Sequence, residues 1–273
     1  MEGTQLMDRP GEQTRPAALT VDRLSFTYGG HLVLHDISFT VRSGEFVSVI
    51  GPSGCGKSTL LQIIAGILAP GLGSVDVDTS HGGSGLSRAV VFQDFALMPW
   101  KTVRANVQLG LDYMRPRRPR RERERLAQDA INVVGLRGFE DKYPYQVSGG
   151  MKQRTGIARA LAVDPTIFLL DEPMASVDAQ NAELLRTELR SLIANQNRTA
   201  LLVTHNLDEA LFLSDRILLM TTKPGQIVED IAVERLDTAQ SEEAGLAIRE
   251  RHVALRERIW EHLKTEVTRE RLA

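Results

Sequence analysis

Residues Gly51–Thr59 read Gly-Pro-Ser-Gly-Cys-Gly-Lys-Ser-Thr, and a run of this kind dictates much of the fold around it. Glycines Gly51, Gly54 and Gly56 let the backbone curl until successive N–H groups converge on one anion. Lys57 can reach terminal phosphates, and the Ser58 hydroxyl is placed to ligate Mg²⁺. Such a loop must join a buried strand to a helix. Phe46-Val47-Ser48-Val49-Ile50 supplies the apolar strand before it. Leu60, Leu61, Ile63, Ile64, Ile67 and Leu68 follow at the three-and-four spacing of an amphipathic helix. That helix aims its positive N-terminal end at the same anion. The chain is expected to bind a nucleoside triphosphate, with Gly51, Pro52, Ser53, Gly54, Cys55, Gly56, Lys57, Ser58 and Thr59 forming the cradle.

Composition removes several competing classes. The chain has 273 residues, enough for one large core with a smaller satellite. It is 42% hydrophobic and 25% charged with a net charge of −2, which lacks the basic excess of a dedicated nucleic-acid binder. Its one cysteine, Cys55, excludes an intrachain disulfide framework and suits a reducing cytoplasm. No apolar stretch approaches the roughly 18–20 residues that cross a bilayer, so a membrane link must run through a partner. Residues 1–17 are polar and lack the apolar core of a signal peptide; they are expected to form a disordered lead-in.

Along the chain, Leu19–Val21 and Leu24–Tyr28 read as two strands, followed by the alternating stretch Leu32–Val41. Residues 76–88 are poor in apolar side chains and read as loop, before the strand Ala89–Phe92. About 101–147 reads as a helical insert broken at Pro116, Pro119, Gly135 and Pro144. Strands are then expected at Ile167–Leu170, Leu201–Thr204 and Ile217–Met220, with a helix carrying Leu184, Leu185, Leu189, Leu192 and Ile193 between the first two. Continuous apolar strands alternating with helices imply a parallel sheet covered on both faces. Residues 231–273 form a charged tail in which Leu255, Ile259, Leu263 and Val267 make one helical stripe. That stripe is expected to pack on the body, with packing on a partner as the alternative.

Two further places carry chemistry. The apolar strand ending in Leu170-Asp171-Glu172 puts two carboxylates at the carboxyl edge of a sheet, where ligands bind. Asp171 suits Mg²⁺, and Glu172, pointing elsewhere, suits accepting a proton from attacking water. Ser148-Gly149-Gly150 opens a helix and offers a second anion-binding N-terminus.

The phosphate loop, Val147-Ser148-Gly149-Gly150-Met151 and Leu170-Asp171-Glu172-Pro173, in that order, resemble the ATP-binding subunits of ABC transporters over roughly residues 18–230. The resemblance implies an α/β P-loop NTPase with a mixed sheet core, an N-terminal antiparallel β subdomain and an inserted α-helical subdomain. It implies that Tyr28 stacks on adenine, that Gln93 senses Mg²⁺ and the membrane partner, that Asp178 belongs to the loop between two nucleotide sites, and that His205 contacts the terminal phosphate. It implies ATP and Mg²⁺ as cofactors, with Ser58, Gln93 and Asp171 about the metal and Glu172, His205 and Lys57 as catalytic groups. Two copies would face each other, each ATP lying between one phosphate loop and the partner copy's Ser148-Gly149-Gly150. Met174-Ala175-Ser176-Val177-Asp178 departs from the Phe-Gly-Ala-Leu-Asp usual in similar importers, which bears on inter-site coupling and on no catalytic side chain.

Val91-Phe92-Gln93 followed by Leu97-Met98-Pro99-Trp100, Asp208-Glu209-Ala210 and Lys223-Pro224-Gly225 look like the nitrate, sulfonate and taurine importer branch. That implies a motor for uptake of a small anionic or zwitterionic solute, peripheral to the cytoplasmic face of the inner membrane. Phe95, Met98 and Trp100 would meet the permease, burial in the subdomain core being the other reading of Trp100. A periplasmic or extracellular solute-binding protein is an indirect partner, and nucleic acid is not expected. The alternative is an exporter ATPase or a soluble nucleic-acid- or ribosome-associated ABC-type machine. Between Met114 and Arg125 stand seven arginines, read as a solvated linker and helix start, with anionic lipid contact as the alternative.

Overall fold

The computed structural model describes residues 15–79, 86–194, 198–234 and 242–272. The expected lead-in lies outside them up to residue 14, as do residues 235–241 of the tail and the side chain of Val267.

Two sheets organise the chain. Strands β1 (Ala17–Tyr28), β2 (His31–Arg42) and β4 (Leu72–Val77) make an antiparallel sheet in the order β2-β1-β4. The two strands expected at Leu19–Val21 and Leu24–Tyr28 are one. Their apparent break is a register shift between Val21 and Leu24, where Arg23 adopts φ 45°. Strand β4 ends on the first residues of a stretch expected to be loop; Val75 and Val77 give it only a short alternation, and pairing with β1 makes it a strand. The larger sheet runs β5 (Arg88–Val91), β6 (Ile167–Asp171), β7 (Thr199–Thr204), β3 (Phe46–Ile50), β8 (Arg216–Met220), β9 (Ile227–Ala232). All neighbours are parallel except β9, which returns antiparallel to β8 and makes the sheet mixed. It carries the sheet through Ala232, beyond the expected domain edge at 230.

Alternation along the buried strands divides the core. Phe46, Phe168, Leu170, Ala200 and Leu202 face one side, where α4 (Gly149–Ala162), α5 (Ala179–Leu189) and the helices α2 (Val103–Tyr113) and α3 (Arg120–Val133) cover them. Val47, Val49, Leu169, Leu201 and Val203 face the other, against α1 (Lys57–Ile64) and the antiparallel sheet. A third cluster joins Leu207, Ala210 and Leu211 of α6 (Leu207–Leu213) to Ile259, with Leu255 and Leu263 packed against it, all three from α7 (Glu242–Leu272). The helical stripe read in the tail therefore lies on the body. The arginine run is largely paired within its own neighbourhood: Arg118 with Glu122, Arg120 with Glu124, and Arg117 and Arg123 with Asp112. No described helix is long and apolar enough to cross a membrane.

One ion network clips the two sheets together. Arg216 on β8 donates to both carboxylate oxygens of Asp230 on β9 at 2.7 and 2.9 Å, and to Glu45 at 2.7 Å and the Thr40 carbonyl at 3.2 Å. The three side chains are each under a fifth exposed. Removing the guanidinium strands two largely buried carboxylates, so Arg216→Met is expected to destabilise the fold by about 3–5 kcal/mol in chemical denaturation.

Candidate functional site

The site is built where parallel strands end level with one another. Ile50 of β3 pairs with Thr204 of β7, and Asp171 of β6 pairs with Val203 of β7. The next residues along, Gly51, Glu172 and His205, therefore emerge side by side at the carboxyl edge.

From Gly51 the loop folds tightly. A Cβ on Gly51 would lie 2.5 Å from the Met220 carbonyl and 2.8 Å from Cys55 Sγ, so only glycine fits there. Gly56, at φ 98°, precedes α1 with its Cα facing Leu34 of β2, whose Cδ2 would stand 2.7 Å from an added Cβ. Lys57 is buried, its Nζ donating to the carbonyls of Gly51 and Pro52 at 2.7 and 2.8 Å. Ser53, Gly54 and Ser58 are exposed on the crest, Thr59 is half-buried, and Pro52 is buried. Cys55 lies beneath at 1% exposure, and burial pushes its thiol up against the opposing pull of Lys57. An inward, protonated thiol is a packing group and a poor nucleophile.

The acids sit across from Lys57 and Ser58. Ser58 Oγ donates to Asp171 Oδ1 at 3.3 Å. Burial pushes the Asp171 carboxyl up, as do Glu172 and Asp94, while the Ser58 bond and Lys57 pull it down. Glu172 holds φ 43°, a left-handed conformation rare outside glycine, and its N–H donates to the Val203 carbonyl at 2.9 Å. Glu172 Oε2 reaches 3.1 Å from His205 Nδ1, an ion pair whenever the imidazole is protonated. This local strain is held by the β6–β7 ladder.

A residue that sequence reasoning quoted only as a branch marker supports this corner. Glu209 of α6 is buried and accepts from Thr204 Oγ1 at 2.7 Å. Thr204 Oγ1 in turn accepts from the Asn206 N–H at 3.0 Å. The two bonds fix the turn that carries His205. Burial pushes the Glu209 carboxyl up, with the Thr204 bond opposing. Glu172, Met174, Val177, Arg186, His205 and Glu209 help line a cavity of about 290 Å³ beside the acids.

The other expected residues gather in a second place. Ser148 caps α4, accepting from the Met151 N–H at 3.4 Å. A Cβ on Gly149 would stand 3.2 Å from the Ser176 carbonyl, and one on Gly150 would approach Val177 and Asn181. None of those neighbours belongs to residues 51–59. Asp178 caps α5 through the Asn181 N–H at 3.1 Å. Gln93 is exposed after β5, and its carbonyl accepts from Ser176 Oγ at 3.0 Å. Ser148, Gly149, Gly150 and Asp178 thus gather where the N-termini of α4 and α5 meet the turn after β6. Tyr28 stands 71% exposed at the end of β1, and Trp100 is 70% exposed, which removes core burial as its role. Phe95 and Met98 are half-buried beside it.

The family model described as ABC transporter matches residues 34–175. The taurine import ATP-binding protein TauB of Yersinia pestis is 43% identical over 216 residues, covering 79% of this chain and 84% of that protein. The bicarbonate transport ATP-binding protein CmpD of Synechocystis is 43% identical over 231 residues, 81% of this chain and 80% of that one. An ATP-binding cassette solved as a dimer in a post-hydrolysis state bound to ADP and phosphate superposes with a TM-score of 0.67 at 30% identity, over 79% of this chain and 99% of the other.

The buried Glu209 sets a pH signature. Its folded pKa lies above the unfolded value, so its contribution is fully present below the unfolded carboxylate range and is lost as pH rises through the folded pKa. Glu209→Gln keeps an acceptor for Thr204 without the buried charge. Differential scanning calorimetry should find the variant's Tm raised relative to wild type at pH 7, with the difference closing near pH 4.

Proposed function

The chain belongs to the ABC transporter family as an ATP-hydrolysing subunit of importer type, and on that premise we propose how its residues work. The observation that carries the reading is the emergence of Gly51, Glu172 and His205 from three adjacent, level strand ends. Phosphate groups held over Gly51–Thr59 would lie beside the carboxylate and the imidazole. Lys57, drawn from its bonds to the Gly51 and Pro52 carbonyls, supplies positive charge to the terminal phosphates. Glu172 orients the attacking water and accepts its proton, and His205 steadies the transferring phosphoryl group. Tyr28, exposed on the antiparallel sheet, offers a face for the adenine ring.

Mg²⁺ fits the oxygen donors present. Ser58 and Asp171 bring a hydroxyl and a carboxylate within 3.3 Å of each other, with Gln93 following the neighbouring strand β5. Among the described residues no cluster of three or more His, Cys, Asp or Glu side chains forms a metal cage. That suits an ion bound through one carboxylate and the substrate's own phosphates. The ion would neutralise charge developing on those phosphates.

The gathering of Ser148, Gly149, Gly150 and Asp178 at the exposed N-termini of α4 and α5 supports a two-copy site. Each copy offers its α4 N-terminus to the nucleotide held by the other, as in a dimeric cassette. Closure on ATP and release after hydrolysis then move a membrane permease. Phe95, Met98 and the exposed Trp100 form the contact, which places the subunit peripherally on the cytoplasmic side. Relatives that serve taurine and bicarbonate suggest a small zwitterionic or anionic solute, delivered by a solute-binding protein.

Glu172→Gln is expected to bind ATP with near-normal affinity while turnover falls by two orders of magnitude or more, roughly the loss on removing a general base. Radiolabelled ATP binding and steady-state phosphate release measure the two; near-normal release would remove Glu172 from the chemistry. Trp100→Ala should retain ATP binding and lose co-purification with its membrane permease. Undiminished co-purification would move the contact elsewhere.

A further inference from the structure

We propose that helix α7 is a strap that sets the aim of His205 by holding α6, with Ile259 and Arg256 as its positioning residues. The inference rests on the reading of His205 above and adds what controls that imidazole.

The His205 side chain is 60% exposed, so its approach to Glu172 must come from the backbone that carries it. That backbone is a closed set of hydrogen bonds. Thr204 Oγ1 accepts from the Asn206 N–H and donates to the Glu209 carboxylate. Asn206 Oδ1 accepts in turn from the N–H groups of Asp208 and Glu209 at 2.9 and 3.3 Å. His205 therefore moves with the first turn of α6 as one piece.

Helix α6 has seven residues, too few to persist without tertiary contacts, so its place is set by what it packs against. Leu207, Ala210 and Leu211 share a buried cluster with Ile50, Ile217 and Leu219 of the sheet and with Ile259 of α7, which is 1% exposed. Arg256 lies on the same face of α7, three residues before Ile259. Its Nε donates to Asp208 Oδ1 at 3.0 Å, three residues past His205. That ion pair is exposed at both ends and mainly sets register; the apolar contact supplies the hold.

Helix α7 also has anchors away from α6. Arg258 donates to Glu229 of β9 at 2.7 Å and Arg251 to Glu234 at 2.6 Å, while His252 Nε2 lies 2.8 Å from the Glu234 carbonyl. These contacts tie α7 to the last strand of the large sheet and the residue stretch just after it. The helix thus bridges the sheet edge to the element that carries His205.

Single-turnover phosphate release, which keeps slow variants readable, is measured on the full chain assembled with its membrane permease, alongside radiolabelled ATP binding. Ile259→Ala is expected to slow release about fivefold or more while ATP affinity holds within about twofold, and Ile259→Leu to restore the rate. Arg256→Ala should slow release about twofold, as befits an exposed pair. Hydrogen exchange of the amides at 204–209 should quicken in Ile259→Ala. Added to His205→Ala, Ile259→Ala should cost nothing further, because the strap acts through that imidazole. A general loss of stability would slow both backgrounds alike. Equal losses in the two backgrounds, a wild-type rate in Ile259→Ala, or unchanged exchange at 204–209 overturn the proposal. If Ile259→Ala fails to fold, Arg256→Ala in the two backgrounds decides by the same comparison. His205→Ala releasing phosphate at the wild-type rate overturns instead the reading of His205 on which the strap rests.

Discussion

Everything at the site depends on β3, β6 and β7 ending at the same level. Parallel strands joined through covering helices keep a common direction, so their carboxyl ends share one edge. The register places Ile50 beside Thr204 and Asp171 beside Val203. Shifting one strand by a residue would turn its apolar side chains to the other face, away from the core cluster each belongs to. The hydrophobic cores thereby set the spacing of Gly51, Glu172 and His205. Catalytic geometry here is a by-product of packing.

The phosphate loop is held from the outside as well as by its own glycines. Leu34 of the antiparallel sheet closes on Gly56, and Gly225 closes on Cys55, leaving no room for a Cβ at either glycine. Gly225 also exchanges backbone bonds with β2, donating to the Val33 carbonyl and accepting from the His35 N–H. The small sheet and the turn before β9 are thus walls of the nucleotide cradle. Arg216 fastens that same pair of regions from the far end of the strands.

Left-handed backbone occurs at the register shift around Arg23 and also beside the candidate site. Glu172, Phe95 and Ala96 all sit at positive φ, and each is secured by bonds to another element: the Val203 carbonyl for the first, the Arg159 guanidinium for the others. The first stands beside His205, whose Nδ1 the Glu172 carboxylate reaches at 3.1 Å. The others turn a surface loop so that its backbone can be gripped from within.

Strongly periodic or glycine-punctuated elements were legible in the residues alone. The loop at Gly51–Thr59, the buried strands and the acidic strand end all announce themselves, because their chemistry is local: apolar runs must be buried and glycines must turn. Strands β4 and β9 escaped, since β4 alternates only over Ser74–Val77, the adjacent Glu229 and Asp230 break any alternation in β9, and partners make them strands. The same holds for Ser176, Arg159 and Gly225, whose roles lie in contacts with residues 83, 63 and 170 positions away by number. By itself the sequence determined a glycine-rich phosphate loop, an acidic strand end and, through them, an ATP-binding family. Tertiary structure decided which way those groups point, that Cys55 is sealed inside, that Trp100 faces outward, and that Ser148, Gly149, Gly150 and Asp178 gather at the N-termini of α4 and α5. The reason is physical: propensity and pattern act within a few residues, whereas aim and assembly come from packing between segments far apart in the chain.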